Sequence, residues 1–318
     1  MDKERQHITN PNPDTGRYIQ IDHINIGAAR SGTTSFINYL SQHPALHHSI
    51  IKEVLFFSVD EQYEQGAHFL NDFFETTSDV IYSTSDTYLL VATDAPKRLT
   101  DHNKNIKISI VCRDPVLRAY SSYHYAINNG HDRRGFSFHE ALQAETDIIK
   151  NADLITINNL CHAYGSAYYM HLSRYAEYID RENMHVITTS SLNTNLQDTM
   201  NGVFSFLNIP AFSVDEKVRD NRAAAAKNKG LHNFLINRDH PVRKILRKPL
   251  NIPSVKRWVL KSNIVDRIKD SNMSQIRYRS ITADEYLRCY ELLYKDLEKF
   301  QEWFQITIPL SPPDDVTL

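Results

Sequence analysis

The stretch HINIGAARSGTTSFINYLSQ, residues 23–42, constrains this chain more than any other. Ile24, Asn25 and Ile26 read as the end of a short buried strand. Residues 27–34 are a turn of small residues, and residues 35–42 place Phe36, Ile37 and Leu40 on one helical stripe. Strand, glycine-bounded turn and helix in that order make a cradle for an anion, because backbone N–H groups and the positive end of the helix dipole converge on it. The spacing Gly27-x-x-x-x-Gly32 is that of a P-loop, yet Thr33 stands where a lysine would reach the outer phosphates of a nucleoside triphosphate. The loop carries its cation earlier, as Arg30. The expectation is a nucleotide phosphate site that does not hydrolyse ATP or GTP. Taken alone, the same glycine pair would also suit a plain tight turn.

A second unit of the same kind lies further on. Residues 106–112 (IKISIVC) are β-branched and apolar enough for a central strand of a parallel sheet. In RDPVLRAYSSYHYA, which follows, Asp114 is suited to cap a helix and Pro115 to occupy its first turn. Arg113 then stands at the carboxyl end of a strand, where open α/β sheets bind ligands. Ser121 falls about two turns into the helix, so spacing alone equally admits a helix-entry salt bridge and an exposed serine. Residues 185–189 (HVITT) read as a third strand. Helices are expected over 60–78, after Pro96, across 136–180 with a break near Gly165, over 196–207 and over 282–304. Strands alternating with longer helices predict an α/β fold, a P-loop-like parallel β-sheet flanked by helices. Hydrophobic content of 41% is enough for one sizeable core. The expected organisation is a polar tail over 1–20 and a single domain over 21–310.

Between these units, apolar runs flank the charged pair Lys52-Glu53 in IIKEVLFF. A carboxylate beside a cation in apolar surroundings suits a general base whose pKa is balanced by burial and a neighbour. An edge-strand pair facing water is the equally simple alternative.

Charge is unevenly spread: residues 217–261 hold thirteen Lys or Arg against two Asp, although the net charge is only −2. Cys112, Cys161 and Cys289 are far apart and odd in number, which fits a reduced compartment. The polar start MDKERQHITNPNPD has no apolar core of a signal peptide, and no run approaches the roughly 20 apolar residues of a membrane span. The sequence reading is a cytoplasmic protein with no membrane partner. His43, His47 and His48 do not make a metal site, because Pro44 breaks the helix that would align them.

Taken together, the motifs resemble a family. GAARSGTTSFINYL resembles the 5′-phosphosulfate loop of sulfotransferases that use 3′-phosphoadenosine 5′-phosphosulfate (PAPS). VCRDPVLRAYSSYHY looks like their 3′-phosphate motif. KEVLFF is similar to the Lys-Glu-x-His-Phe-Phe element of heparan-sulfate-type and many bacterial members. Order and spacing agree over roughly residues 22–304.

The resemblance implies the sulfotransferase fold, with PAPS as co-substrate, 3′-phosphoadenosine 5′-phosphate (PAP) as product, and no metal. It implies that Arg30, Ser31, Gly32, Thr33, Thr34 and Ser35 hold the 5′-phosphosulfate and that Arg113 and Ser121 bind the 3′-phosphate. Lys227 or Lys229, in RAAAAKNKGLHNFL, stands where the family places a basic loop over the donor. Glu53 would be the catalytic base, with Lys52 and Arg30 stabilising charge. Four features depart from the pattern. Arg30 replaces the usual lysine, as it does in tyrosylprotein sulfotransferases, Leu55 replaces a histidine, Arg98 replaces a tyrosine, and the strand HVITTSSL lacks the glutamate often found after it.

The departures at Leu55 and Arg98 fall on the acceptor side. The expected acceptor is a small molecule with a hydroxyl or amine, such as a specialised metabolite, with a carbohydrate as the alternative. A P-loop kinase is opposed by Thr33. A nucleic-acid module resting on the basic stretch would leave both phosphate loops unexplained, so no nucleic-acid partner is expected.

Overall fold

Five parallel strands carry the molecule: β1 (His23–Asn25), β2 (Leu46–Glu53), β3 (Ile81–Ser85), β4 (Lys107–Cys112) and β5 (Met184–Thr188), in the spatial order β2-β3-β1-β4-β5. The computed structural model describes residues 18–75, 80–218, 224–226, 273–275 and 278–316. Helix α1 (Thr33–Leu40) follows β1, and α2 (Asp60–Tyr63) and α3 (Ala95–His102) flank β3 in the chain. After β4 come α4 (Pro115–Asn128), α5 (Phe138–Asn151), α6 (Leu154–Leu160) and α7 (Tyr168–Tyr175). After β5 come α8 (Thr189–Thr194) and α9 (Leu196–Phe206). Residues 224–226 and 273–275 form a separate antiparallel pair, β6 (Ala224–Ala226) and β7 (Met273–Gln275), and α10 (Ala283–Phe304) is the last helix.

The period of two along β4 explains why the sheet is covered on both faces. Ile108 and Ile110 point into a core shared with Tyr168 and Leu172 of α7 and Phe300 and Phe304 of α10. Val111 points the other way, with Ile187 of β5, against Phe36 and Leu40 of α1 and Met200 and Phe204 of α9. Asp296 ties the first core together from the side, its carboxylate accepting from the N–H groups of Tyr169 and Met170 at the start of α7 at 3.0 and 2.8 Å.

The sheet's centre is polar. His23 of β1 bonds Ser83 Oγ of β3 and Ser109 Oγ of β4, each at 2.9 Å, and Asn25 Nδ2 donates to Ser109 Oγ at 3.2 Å. All four residues are buried. Burial pushes the His23 pKa down to about 3, so the ring stays neutral and can serve as donor on one side and acceptor on the other.

This seam is why β3 is invisible to a search for apolar runs: IYSTS buries Ser83, Thr84 and Ser85. The helix expected over 60–78 is another correction. It is broken into the four residues of α2 and a 3-10 turn over Ala67–Phe73, because Gly66 between them sits at φ 78°. The expected long helical region 136–180 does break at Gly165, where Tyr164–Ser166 form a 3-10 turn between α6 and α7.

Candidate active site

A cavity of about 1130 Å³ opens at the carboxyl ends of β1, β4 and β5. It receives residues 29–34, Lys52, Glu53, Arg113 and Ser121, so the three stretches singled out from the sequence converge on one place. Ser35 lies one residue further into α1 and is buried. Lys227 and Lys229 fall outside the described residues.

The loop is built for an anion. α1 begins two residues earlier than its apolar stripe suggests, at Thr33, and its N-cap is Gly32 at φ 92°, a left-handed conformation that glycine adopts without strain. Gly32 has no side chain to cap the helix, and no carboxylate lies in the first turn. The first-turn N–H groups are thus offered to whatever enters the cavity.

Arg30 also has a positive φ, 72°, which costs a side-chain-bearing residue free energy and persists only where the surroundings enforce it. Here they do so from several directions. The Ser31 carbonyl accepts from Thr189 Oγ1 at 2.6 Å, the Ala29 carbonyl from Arg118 Nη1 at 3.0 Å, and the Arg30 carbonyl from Arg113 Nη1 at 3.5 Å. The Arg30 side chain crosses to α4, where Nε lies 3.4 Å from Ser121 Oγ and the guanidinium carbon 4.8 Å from the centre of the Tyr125 ring. One cation therefore joins the first anion loop to the second.

Arg113 and Ser121 sit on the same side of the cavity, as the start of a strand-to-helix unit should place them. Asp114 caps α4 through Oδ1, which accepts from Val116 and Leu117 N–H at 2.9 and 3.0 Å. Its Oδ2 accepts from Tyr286 O–H and Ser311 N–H, so this carboxylate is consumed by structure. Burial lowers the Arg113 pKa from its ordinary value, but the group starts so high that it remains a cation. Arg30, Lys52 and Arg113 face Glu53 and Asp114, the latter with its oxygens already taken, so the cavity favours an anionic occupant.

Lys52 and Glu53 are adjacent in β2, and regular pleating would send them to opposite faces. The pairing of β2 with β3 slips between His48 and Glu53, a bulge at the strand end, and both side chains line the cavity. Lys52 Nζ lies 2.9 Å from Glu53 Oε1, with side chains 34% and 29% exposed, so the pair adds little to stability. Glu53 Oε2 accepts from Thr87 N–H at 2.7 Å and from Thr87 Oγ1 at 3.3 Å. Thr87 thereby aims the carboxylate.

Thr87 is a residue that sequence reasoning missed. It follows β3, and the rule that ligands bind beyond strand ends would have found it had that strand been recognised. Tyr278 and Arg279 are a second omission. Tyr278 stacks on His124 at 4.6 Å and 7°, Tyr120 O–H donates to the Arg279 carbonyl at 3.2 Å, and Arg279 Nη1 donates to Glu285 Oε2 at 2.8 Å. Both line the cavity where they pack on α4, and no spacing in the sequence connects them to it. Among the described residues no helix is long and apolar enough to cross a membrane.

What the arrangement offers chemically is an anchor for a polyanion with a carboxylate held at its edge. The profile of a family described as "Sulfotransferase domain" matches residues 20–250. Human heparan sulfate glucosamine 3-O-sulfotransferase 5 is 27% identical over 190 residues, 59% of this chain and 53% of that protein. The mouse bifunctional heparan sulfate N-deacetylase/N-sulfotransferase 4 is 29% identical over 202 residues, 60% of this chain and 23% of its own length. The chain thus spans about half or less of these curated relatives. Among solved structures, a sulfotransferase from Alicyclobacillus acidocaldarius superposes with a TM-score of 0.52 at 20% identity, over 76% of this chain and 95% of that one, a likeness of fold.

Proposed function

The chain belongs to the sulfotransferase domain family, and we propose that it transfers the sulfuryl group of PAPS to a hydroxyl or amine of a small-molecule acceptor. The observation that carries this reading is the meeting of three features in one cavity: an uncapped helix start, a second cation at the end of β4, and a carboxylate at the cavity wall. In this reading the first turn of α1, with Arg30 and Ser31, holds the 5′-phosphosulfate. Arg113 and Ser121 take the 3′-phosphate, the group that separates this donor from ATP.

Sulfuryl transfer, like phosphoryl transfer, is an in-line displacement catalysed mostly by positioning and electrostatics. The acceptor oxygen or nitrogen forms its bond to sulfur as the bond from sulfur to the bridging phosphate oxygen breaks, and PAP leaves. Glu53 takes the acceptor's proton. Thr87, donating two hydrogen bonds to Oε2, leaves Oε1 as the basic oxygen, and Lys52 shares it. Arg30 and Lys52 offset the charge that builds on the sulfuryl and bridging oxygens.

A carbohydrate acceptor is the second reading. It is favoured by the Lys52-Glu53 pair at the cavity wall and by the heparan sulfate enzymes among the relatives. The test is incubation with sulfur-labelled PAPS, a panel of hydroxylated and amine-bearing small molecules, and a heparan-type oligosaccharide. Label in an extractable small product supports the first reading, and label in the oligosaccharide supports the second. Donor binding without transfer to either class would remove both acceptor assignments.

A further inference from the structure

Arg118 lies inside α4, 3% exposed, outside the cavity and unused by the chemistry above. A buried guanidinium is costly unless its hydrogen bonds are met, and the partners described for this one are all neutral oxygens. Nε donates to Ser166 Oγ at 2.5 Å, Nη1 to the Ala29 carbonyl at 3.0 Å, and Nη2 to the His162 carbonyl. Two of these lie in the turn between α6 and α7; the third is in the anion loop.

The turn is itself fixed. Glu145 of α5 accepts from the N–H groups of His162, Ala163 and Tyr164 at 2.6, 2.8 and 2.8 Å, and Ser166 Oγ also donates to the Pro115 carbonyl at 2.8 Å. Gly165 leaves room for the guanidinium, since a Cβ there would come within 3.2 Å of Arg118 Nη2. The Ala29 carbonyl shares a rigid peptide plane with the N–H of Arg30. Holding the oxygen on the Arg118 side turns that N–H the other way and prevents the plane from flipping an oxygen towards the ligand.

We propose that Arg118 is a positioning residue for the sulfuryl donor, locking the Ala29–Arg30 peptide in its anion-binding orientation while placing a positive charge behind the loop. The proposal rests on the donor reading given above. It treats Glu145, the turn at 162–166, Arg118 and Ala29 as a brace that reaches the site from α5.

The test compares the wild type with Arg118→Gln, Arg118→Lys and Gly165→Ala, measuring PAP affinity by calorimetry, steady-state constants for donor and acceptor, and thermal stability. Losing a charged, multiply bonded donor should weaken PAP by about 10–100-fold in Arg118→Gln. Arg118→Lys keeps the charge without the fork and should recover only part of this. Gly165→Ala, which displaces the guanidinium and removes no group, should raise PAP Kd and donor KM roughly 3–10-fold, with acceptor KM unchanged at saturating donor. Should the arginine variants fail to fold, Gly165→Ala alone decides. Wild-type PAP affinity in a folded Gly165→Ala protein, or thermal destabilisation with an unaltered donor KM, would overturn the brace. Absence of PAP binding in the wild type would overturn the donor reading itself.

Discussion

The two walls of the cavity are built on opposite plans. On the side proposed for the donor, backbone dominates: the loop's carbonyls are held by Thr189, Arg113 and Arg118, and its amides are set by the start of α1. On the side proposed for the acceptor, side chains dominate: partly exposed Lys52 and Glu53 at a strand bulge, and buried Thr87 after β3. A fixed donor needs a fixed geometry, and buried hydrogen bonds supply it. A wall of side chains on separate segments can be varied one residue at a time, so it is where specificity can change without loss of the donor site.

If the walls are separable, changes on each should affect different constants. The largest effect is expected for Glu53→Gln, which should lose about 10²–10⁴-fold in turnover, the usual worth of a general base, with PAP affinity kept. Single-turnover kinetics and calorimetry on the same sample check this. Arg113→Ala comes next. It should weaken PAP by about 10–100-fold, as for loss of charge-assisted hydrogen bonds, and weaken adenosine 5′-phosphate far less, since that ligand feels only the lost 3.5 Å contact to the Arg30 carbonyl. Equal losses for both ligands would break the assignment of Arg113 to the 3′-phosphate. Thr87→Val keeps the 2.7 Å bond from the backbone and removes the 3.3 Å one from the hydroxyl. About a 2–10-fold fall in turnover, with donor KM unchanged, is expected.

The mildest expected effect is on stability. Burial holds His23, His48, His162 and His171 near pKa 3, against 6.5 for an ordinary histidine. The unfolded chain therefore binds protons that the folded one refuses, so this contribution is whole above pH 6.5 and is lost as pH falls towards 3. Glu145 works in the opposite sense: burial raises it from 4.5 to about 7, so its contribution declines as pH rises across that interval. With His102 and His185 lowered to about 4, six histidines outweigh Glu145 and the raised Asp22 and Asp296, and Tm should be lower at pH 5 than at pH 7.5. The folded chain refuses these protons, and the brace uses the backbone N–H and carbonyl of His162 rather than its ring, so PAP affinity should hold while Tm falls over the acid range. A loss of affinity well above the unfolding range would show that a group of the folded site titrates there.

The two walls also differ in how much of them could be read in the chain. The donor loop and the α4 start are contiguous motifs, with Asp114 and Pro115 marking the helix and IKISIVC marking its strand, so local chemistry announces them. Glu53 was legible for its neighbours, yet a regular strand would have separated it from Lys52, and only the bulge brings them together. β3 escaped because the sheet's centre is a hydrogen-bonded seam of His23, Ser83 and Ser109 rather than an apolar layer. Tyr278 and Arg279 escaped because only the folded placement of α10 returns them to α4. Arg118 reads as one more helix cation in RDPVLRAYSSYHYA. Its role depends on a turn more than 40 residues away, at His162 and Ser166.

The central claim is that two anion sites on one wall grip the two phosphate ends of a single adenosine-based donor. A crystal structure with PAP tests it most directly. The 5′-phosphate is expected against the first turn of α1, beside Arg30, and the 3′-phosphate on Arg113 and Ser121, with Glu53 facing the open remainder of the cavity. PAP bound away from the loop, or with its 3′-phosphate clear of Arg113, would contradict it.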